Sequence, residues 1–263
     1  MPAPLASMPA DVRAGIRYVL TDIDDTLTTD GKLTADAYHA LERLHDAGKI
    51  VVPVTGRPAG WCDHIARMWP VDAVVGENGA FFMRFDVAKR KLVRRFAATD
   101  AERASIRQRL AAIGAAIVAR VPGSALASDQ HYRETDVAID YCEDVPPLDA
   151  SAVARIVELM QAEGMTAKVS SIHVNGWFGH YDKLAMTRVL FAEVFGHRLD
   201  DVRDAVLFAG DSPNDAPMFG YFRCAVGVAN LARFLPQLAV KPAYMTTASA
   251  GAGFTEIADF LLE

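Results

Sequence analysis

Cysteine is scarce. Only Cys62, Cys142 and Cys224 occur among 263 residues, an odd and widely spaced set. With no CxxC pair and no zinc-ligand spacing, neither a disulfide framework nor a structural zinc site organises the chain. Long apolar runs are missing as well. No stretch reaches the roughly 20 apolar residues that a bilayer-spanning helix needs, and the opening MPAPLASMPA lacks the basic and apolar regions of a secretory leader. Positive charge is in deficit, because 27 Lys and Arg face 33 Asp and Glu for a net charge of −6. Nucleic-acid binding depends on Lys and Arg neutralising phosphates, so this balance argues against DNA or RNA as partner. A small anionic ligand needs only a local cationic site and stays open. There is no low-complexity tract and no internal repeat. These deficits together predict a soluble protein of the reducing cytoplasm, with no membrane partner.

What the chain has in quantity is apolar side chains, 51% of residues, enough to bury a substantial core. The N-terminal part alternates strand and helix signals. Ile16 to Leu20 is a β-branched apolar run that ends in the acidic cluster Asp22, Asp24, Asp25. Thr34 offers an N-cap, Ala37, Leu41 and Leu44 follow at helical spacing, and Gly48 supplies the stop. Ile50–Val54 and Val71–Val75 read as further buried strands. The same grammar returns after Tyr181, with a helix from Lys183 to Phe195, a strand Ala205–Ala209, a helix near Asp215 and a strand Cys224–Val228. Such β-α-β succession predicts an α/β fold with a Rossmann-like parallel sheet.

Between these parts the texture changes. A hairpin is expected at Phe81–Phe85 and Lys91–Phe96, then a helix Ala101–Ile113 and strands near Ile117 and Val137–Tyr141. A helix Ala150–Ala162 and a closing strand Ala167–Val174 complete the stretch. This is an α+β unit inserted into the core: residues 1–82 and 178–263 form the catalytic core, and 83–177 form an inserted cap that selects substrate.

Four segments carry chemistry, each at a strand's carboxyl end or a helix start, where open α/β sheets bind ligands. In Leu20-Thr21-Asp22-Ile23-Asp24-Asp25-Thr26-Leu27-Thr28, an extended backbone would send Asp22 and Asp24 to one side. Adjacent carboxylates repel unless a cation or a proton intervenes, and such a pair suits one nucleophile and one proton carrier. In Val52-Pro53-Val54-Thr55-Gly56-Arg57-Pro58, Thr55 offers a hydroxyl and Gly56 lets backbone N–H groups approach an anion. Lys183 opens a helix, where a cation opposes the helix dipole unless an anion is bound nearby. In Gly210-Asp211-Ser212-Pro213-Asn214-Asp215, Asp211 and Asp215 supply the hard oxygen ligands that Mg²⁺ prefers. Taken singly, a solvated acidic turn, a strand-to-helix turn, a surface lysine and an N-cap cluster would account for them.

In combination and in this order, the four segments resemble the motif set of the haloacid dehalogenase superfamily of phosphohydrolases. The inserted unit resembles the C2-type cap. Glu77-Asn78-Gly79-Ala80 and Val226-Gly227-Val228-Ala229-Asn230 are similar to stretches in Cof-type, sucrose-phosphate and mannosyl-3-phosphoglycerate phosphatases. One departure is Asp25, where many such proteins carry glycine. The resemblance implies a Mg²⁺-dependent phosphomonoester hydrolase whose substrate is a small phosphate ester, a sugar phosphate before others. By the same resemblance Asp22 is the nucleophile and Asp24 the acid and base. Asp22, the Asp24 carbonyl, Asp211 and Asp215 hold the metal, Thr55, Gly56 and Lys183 hold the phosphoryl oxygens, and Asn214 positions Lys183 or the phosphate. Asn78 and the cap residues Arg133, Glu134, His173 and Asn175 are candidate substrate contacts. Trp61 and Trp69 read as packing residues. A sugar phosphomutase on the same scaffold and a phospho-receiver domain are the competing readings.

Overall fold

The computed structural model describes residues 1–263. In chain order, β1 (Ala3–Pro4), α1 (Ala10–Gly15), β2 (Tyr18–Thr21), α2 (Ala35–Asp46), β3 (Ile50–Pro53) and α3 (Ala59–Met68) build the first part. Next come β4 (Val74–Gly76), β5 (Phe81–Asp86), β6 (Lys91–Phe96), α4 (Asp100–Arg120), β7 (Ala125–Leu126), β8 (Asp136–Asp140), α5 (Ala150–Ala162), β9 (Thr166–Val169) and β10 (His173–Trp177). The chain ends with α6 (Lys183–Val194), α7 (Leu199–Val202), β11 (Val206–Gly210), α8 (Ala216–Tyr221), β12 (Cys224–Gly227), β13 (Tyr244–Met245) and α9 (Ala250–Leu262). No helix is long and apolar enough to cross a membrane.

Six strands form one parallel sheet in the order β1-β13-β12-β11-β2-β3. Its central strands are apolar on both faces, as burial between two helical layers requires. Tyr18, Leu20, Val52, Val206 and Phe208 enter the cluster on one face, and Val19, Val51, Leu207 and Ala209 the cluster on the other. The register sets up the chemistry. Thr21 lies level with Ala209 on one side and with Pro53 on the other, so Asp22, Val54 and Gly210 leave the sheet side by side. Helix α2 follows its sequence signals: the Thr34 hydroxyl accepts from the Ala37 N–H, Ala37, Ala40, Leu41 and Leu44 face inward, and Gly48 turns out at φ +76°.

A second, antiparallel sheet in the order β7-β8-β10-β9 carries α4 and α5 and has its own apolar cluster, drawn from residues 110–174. Two elements there differ from expectation. Ile117 is helical, because α4 runs through Gly114 to Arg120. Gly114 is no stop: a side chain there would meet Leu126 and Val137 at 2.8 Å, so glycine lets the helix lie flat against the sheet. The expected strand 167–174 is two strands, β9 and β10. Ser170 and Ser171 reverse the chain, the Ser170 hydroxyl accepting from the His173 N–H at 3.0 Å. The third sheet is β4-β5-β6. Here β4 lies parallel to the edge of the core sheet: Val75 bridges Val54, the Thr55 N–H donates to the Val75 carbonyl at 2.8 Å, and the Asp72 N–H donates to the Val51 carbonyl at 2.9 Å. The β5–β6 hairpin packs Phe81 and Met83 against Cys62 and Ile65 of α3. It therefore shares its apolar contacts with the parallel-sheet body.

The two bodies are tied at their seam by Glu77. At φ +42° this residue buries its carboxylate, which accepts from the N–H groups of Ala59 (3.0 Å), Glu134 (2.9 Å) and Thr135 (2.7 Å) and from the Thr135 hydroxyl. Burial first, then the Asp136 charge, push its carboxyl from the ordinary 4.5 up to about 7, against the pull of Thr135 and Arg133. A folded-state pKa above the unfolded value means that the stability involved is intact below about pH 4.5 and lost as pH rises through about 7. Urea unfolding across that window should therefore show stability falling as pH rises, and Glu77→Gln should flatten the fall. An unchanged slope in the variant would place the proton elsewhere.

Candidate active site

Asp22 leaves β2 still hydrogen-bonded to the sheet, its N–H donating to the Ala209 carbonyl at 2.9 Å. Its carboxylate accepts from the Ile23 N–H (2.8 Å) and the Lys183 ammonium (2.9 Å). Beyond it the chain is not extended. The N–H groups of Thr26, Leu27 and Thr28 all converge on the Ile23 carbonyl, and Asp25 sits at φ +53°. That left-handed position favours glycine and tolerates Asp, which accounts for the departure from the resemblance. The turn separates the paired carboxylates: Asp24 receives the Arg57 Nε at 2.9 and 3.1 Å, while Asp22 receives Lys183.

Lys183 begins α6 behind its N-cap Asp182 and is buried. Its position depends on Gly79, at φ +103°, where a Cβ would sit 2.0 Å from the Asp182 carbonyl oxygen. Only glycine allows the β4–β5 turn to press on the start of α6. The ammonium reaches Asp215 at 2.7 Å as well as Asp22. Burial alone would lower the Lys183 pKa, but Asp215 and Asp22 outweigh it and raise it above the ordinary range. Asp215 is locked in turn, accepting from the Asp211 N–H (3.1 Å) and the Ser212 N–H (3.4 Å). Asn214, expected to position Lys183 or the phosphate, accepts from the Ser212 hydroxyl (2.7 Å) and donates to Asn78 (3.4 Å). The residue that positions the lysine is Asp215.

The carboxylates of Asp22, Asp211 and Asp215 have oxygens within 4.8 Å of one another, all buried. One ammonium cannot neutralise three such charges. Burial and the neighbouring acids lift the Asp211 carboxyl well above its ordinary range, and burial drives Asp22 up to about 7 in spite of Lys183. The nearest guanidinium to Asp211, from Arg233, is 3.7 Å away, and Asn230 Nδ2 is 3.3 Å away. Three hard oxygens short of positive charge match a small divalent cation, so these residues fit Mg²⁺.

On the other side of Asp22, the Thr55 hydroxyl accepts from the Arg57 N–H at 3.0 Å. Asn78, at φ +54°, buries an Nδ2 with no protein acceptor. It lies where a side chain at Gly56 would meet it, at 3.1 Å. Of the inserted residues expected at the substrate, His173 is buried behind the cavity next to Asp24, with Nε2 2.8 Å from the cavity-lining Glu143. Arg133 is buried at the seam, paired with Asp129 and Asp136 and donating to the Gly56 carbonyl at 2.9 Å. Glu134 faces Arg107 on α4, and Asn175 donates to Asp136 at 2.9 Å. Trp61, expected to pack in the core or at an interface, is half exposed beneath the Arg57 guanidinium, 4.3 Å from its ring centre. A cavity of about 610 Å³ opens between the two bodies, lined by Asp24, Arg57, Glu143, Ser171 and Arg233 among others. Arg57, Glu143 and Asn230 escaped assignment from sequence. Arg57 and Asn230 stand inside the motif segments, whereas Glu143 carries no local signal.

Two substitutions separate these charge roles. Asp211→Asn removes a buried charge whose nearest cation, the half-exposed Arg233, is 3.7 Å away, so the metal-free protein should gain about 1 kcal/mol and lose its thermal shift on adding Mg²⁺. Lys183→Met leaves two carboxylates bare and should cost about 3–5 kcal/mol without metal. Thermal unfolding with and without Mg²⁺ checks both; an undiminished Mg²⁺ shift in Asp211→Asn would remove that residue from the metal site.

Comparison with known proteins gives the site its relatives. No curated protein matches the chain by sequence. Among solved structures, a protein from Thermoplasma acidophilum is 19% identical with a TM-score of 0.69, the match covering 94% of this chain and 98% of that one. The sucrose-phosphatase from Synechocystis, solved with sucrose and phosphate, is 19% identical with a TM-score of 0.62, covering 92% and 97%. A haloacid dehalogenase-like hydrolase from Bacteroides thetaiotaomicron is 16% identical with a TM-score of 0.63, covering 93% and 98%. Residues 19–111 match the profile of the haloacid dehalogenase-like hydrolases. Over that segment the chain is similar to this family, and as a whole it shares the fold of these solved structures.

Proposed function

We propose that the chain is a Mg²⁺-dependent phosphatase that hydrolyses a small phosphate monoester, a sugar or polyol phosphate, through an aspartyl phosphate on Asp22. The observation that carries this reading is the division of labour between two carboxylates on one loop: Asp22 in the charge-poor acidic pocket with Lys183, and Asp24 beside the cavity on Arg57. Mg²⁺ held by Asp22, Asp211 and Asp215 would supply the positive charge that lets an anionic nucleophile meet an anionic phosphoryl group.

The chain's own residues do the rest. The Asp22 carboxylate oxygen bonds to phosphorus as the bond to the leaving oxygen breaks, and Asp24 gives that oxygen its proton. Asp24 then takes a proton from water as the water oxygen bonds to phosphorus. The bond to Asp22 breaks, phosphate leaves, and both carboxylates are restored. Lys183, the Asn78 amide and the donors around Thr55 and Gly56 lie where they can hold phosphoryl oxygens. The mixed polar lining of the cavity suits a hydroxylated leaving group, and the inserted unit over it would exclude water from the covalent step. The sucrose and phosphate bound by the Synechocystis relative support the same substrate class.

The test is a phosphate-release screen across sugar, polyol and nucleotide monophosphates with Mg²⁺. Sugar or polyol phosphates should be turned over, a chelator should stop the reaction, and Asp22→Asn should lower kcat by at least ~10³-fold with its circular dichroism unchanged. Isomerisation of a hexose phosphate without phosphate release would make the enzyme a mutase instead.

A further inference from the structure

The Arg57 guanidinium is shared between the two bodies of the molecule. Its Nε holds Asp24 of the core, while Nη2 donates to Glu143 at 2.6 Å and Nη1 lies 3.3 Å from Asp129, both beyond the seam. The head group has no freedom of its own: its side chain is 4% exposed and stacks on Trp61. Glu143 is equally constrained. It follows β8 in a turn where the Asp140 carboxylate accepts from the N–H groups of Cys142 (2.9 Å), Glu143 (2.8 Å) and Asp144 (2.8 Å). Its far oxygen lies 2.8 Å from Nε2 of the buried His173 on β10. Burial works to raise the Glu143 carboxyl, but His173 and Arg57 outweigh it and hold it at about 2. A continuous chain His173–Glu143–Arg57–Asp24 thus crosses from the inserted sheet to the acidic loop.

Resting on the phosphatase reading above, we propose that Glu143, braced by His173, is a positioning residue that aims the Asp24 carboxyl at the leaving oxygen through Arg57. A planar guanidinium with two anchored partners transmits orientation, since moving one carboxylate turns the fork that holds the other. Proton donation is then available only when the inserted unit is seated, and the enzyme acts on leaving groups that need a proton to depart. In that step the phosphorus–oxygen bond breaks and its electron pair takes the Asp24 proton, giving a neutral alcohol. A nitrophenolate leaves as a stable anion and gains little from that proton.

The dependence of rate on leaving group reads this out. Wild type and Glu143→Gln, both full-length with Mg²⁺, are compared on p-nitrophenyl, phenyl and methyl phosphate. The loss in kcat caused by Glu143→Gln should be at least ~10-fold greater on methyl than on p-nitrophenyl phosphate, with phenyl phosphate between. His173→Gln should give the same ordering with a smaller spread. A uniform loss along the series, or no loss, overturns the positioning role while leaving the phosphatase reading in place. Failure of the wild type to release phosphate from any of the three overturns the reading beneath it.

Discussion

Negative charge buried in excess of its counter-charge is the constraint around which this structure is arranged. Three carboxylates converge where β2 and β11 end, and one lysine answers them. In a folded protein such a cluster is a liability of several kcal/mol unless a cation or a proton joins it. The surroundings nonetheless hold the acids in place with backbone N–H groups and give Asp211 only the half-exposed Arg233 guanidinium, 3.7 Å away. A fold that maintains this imbalance gives up stability for a cluster of oxygens that a cation would complete. The neighbouring strain agrees, since Asp25, Glu77 and Asn78 all lie in left-handed backbone conformations around the same pocket.

The same excess recurs at the seam. Arg57 and Arg133 face Asp24, Asp129, Asp136, Glu143 and Glu77, so two guanidinium groups serve five carboxylates. The seam is held by hydrogen-bonded charge beside the contact of Tyr132 with Gly60 of α3, and the apolar clusters of the two bodies remain separate. Polar seams of this kind hold orientation tightly and separate readily.

Much of this was legible in the residues. The parallel core could be read because its strands are short continuous apolar runs, and the acidic loops because their residues are contiguous: Asp22 to Thr28 and Gly210 to Asp215 each sit in one turn. Lys183 stood out by opposing its own helix dipole. What could not be read is long-range. The separation of Asp22 from Asp24 depends on Arg57, a contact across the sheet, and the meeting of Glu143 with Arg57 spans 86 positions of sequence. Ile117 misled for a local reason, since an alanine-rich segment around a glycine looks like a helix end until the sheet beneath it explains the glycine. The pair His173 and Asn175 shares a strand, yet one meets Glu143 and the other Asp136, which alternation alone does not distinguish.

The contact of Gly79 with the Asp182 carbonyl has a topological consequence. It clasps the outgoing and homeward threads of the polypeptide at one point, so everything strung between residues 80 and 182 hangs from a closed ring. Lengthening or replacing the contents of that ring leaves the clasp, and with it the lysine one residue beyond, where it stands. Sequence drift inside the ring could thus accumulate while the buried ammonium stayed still.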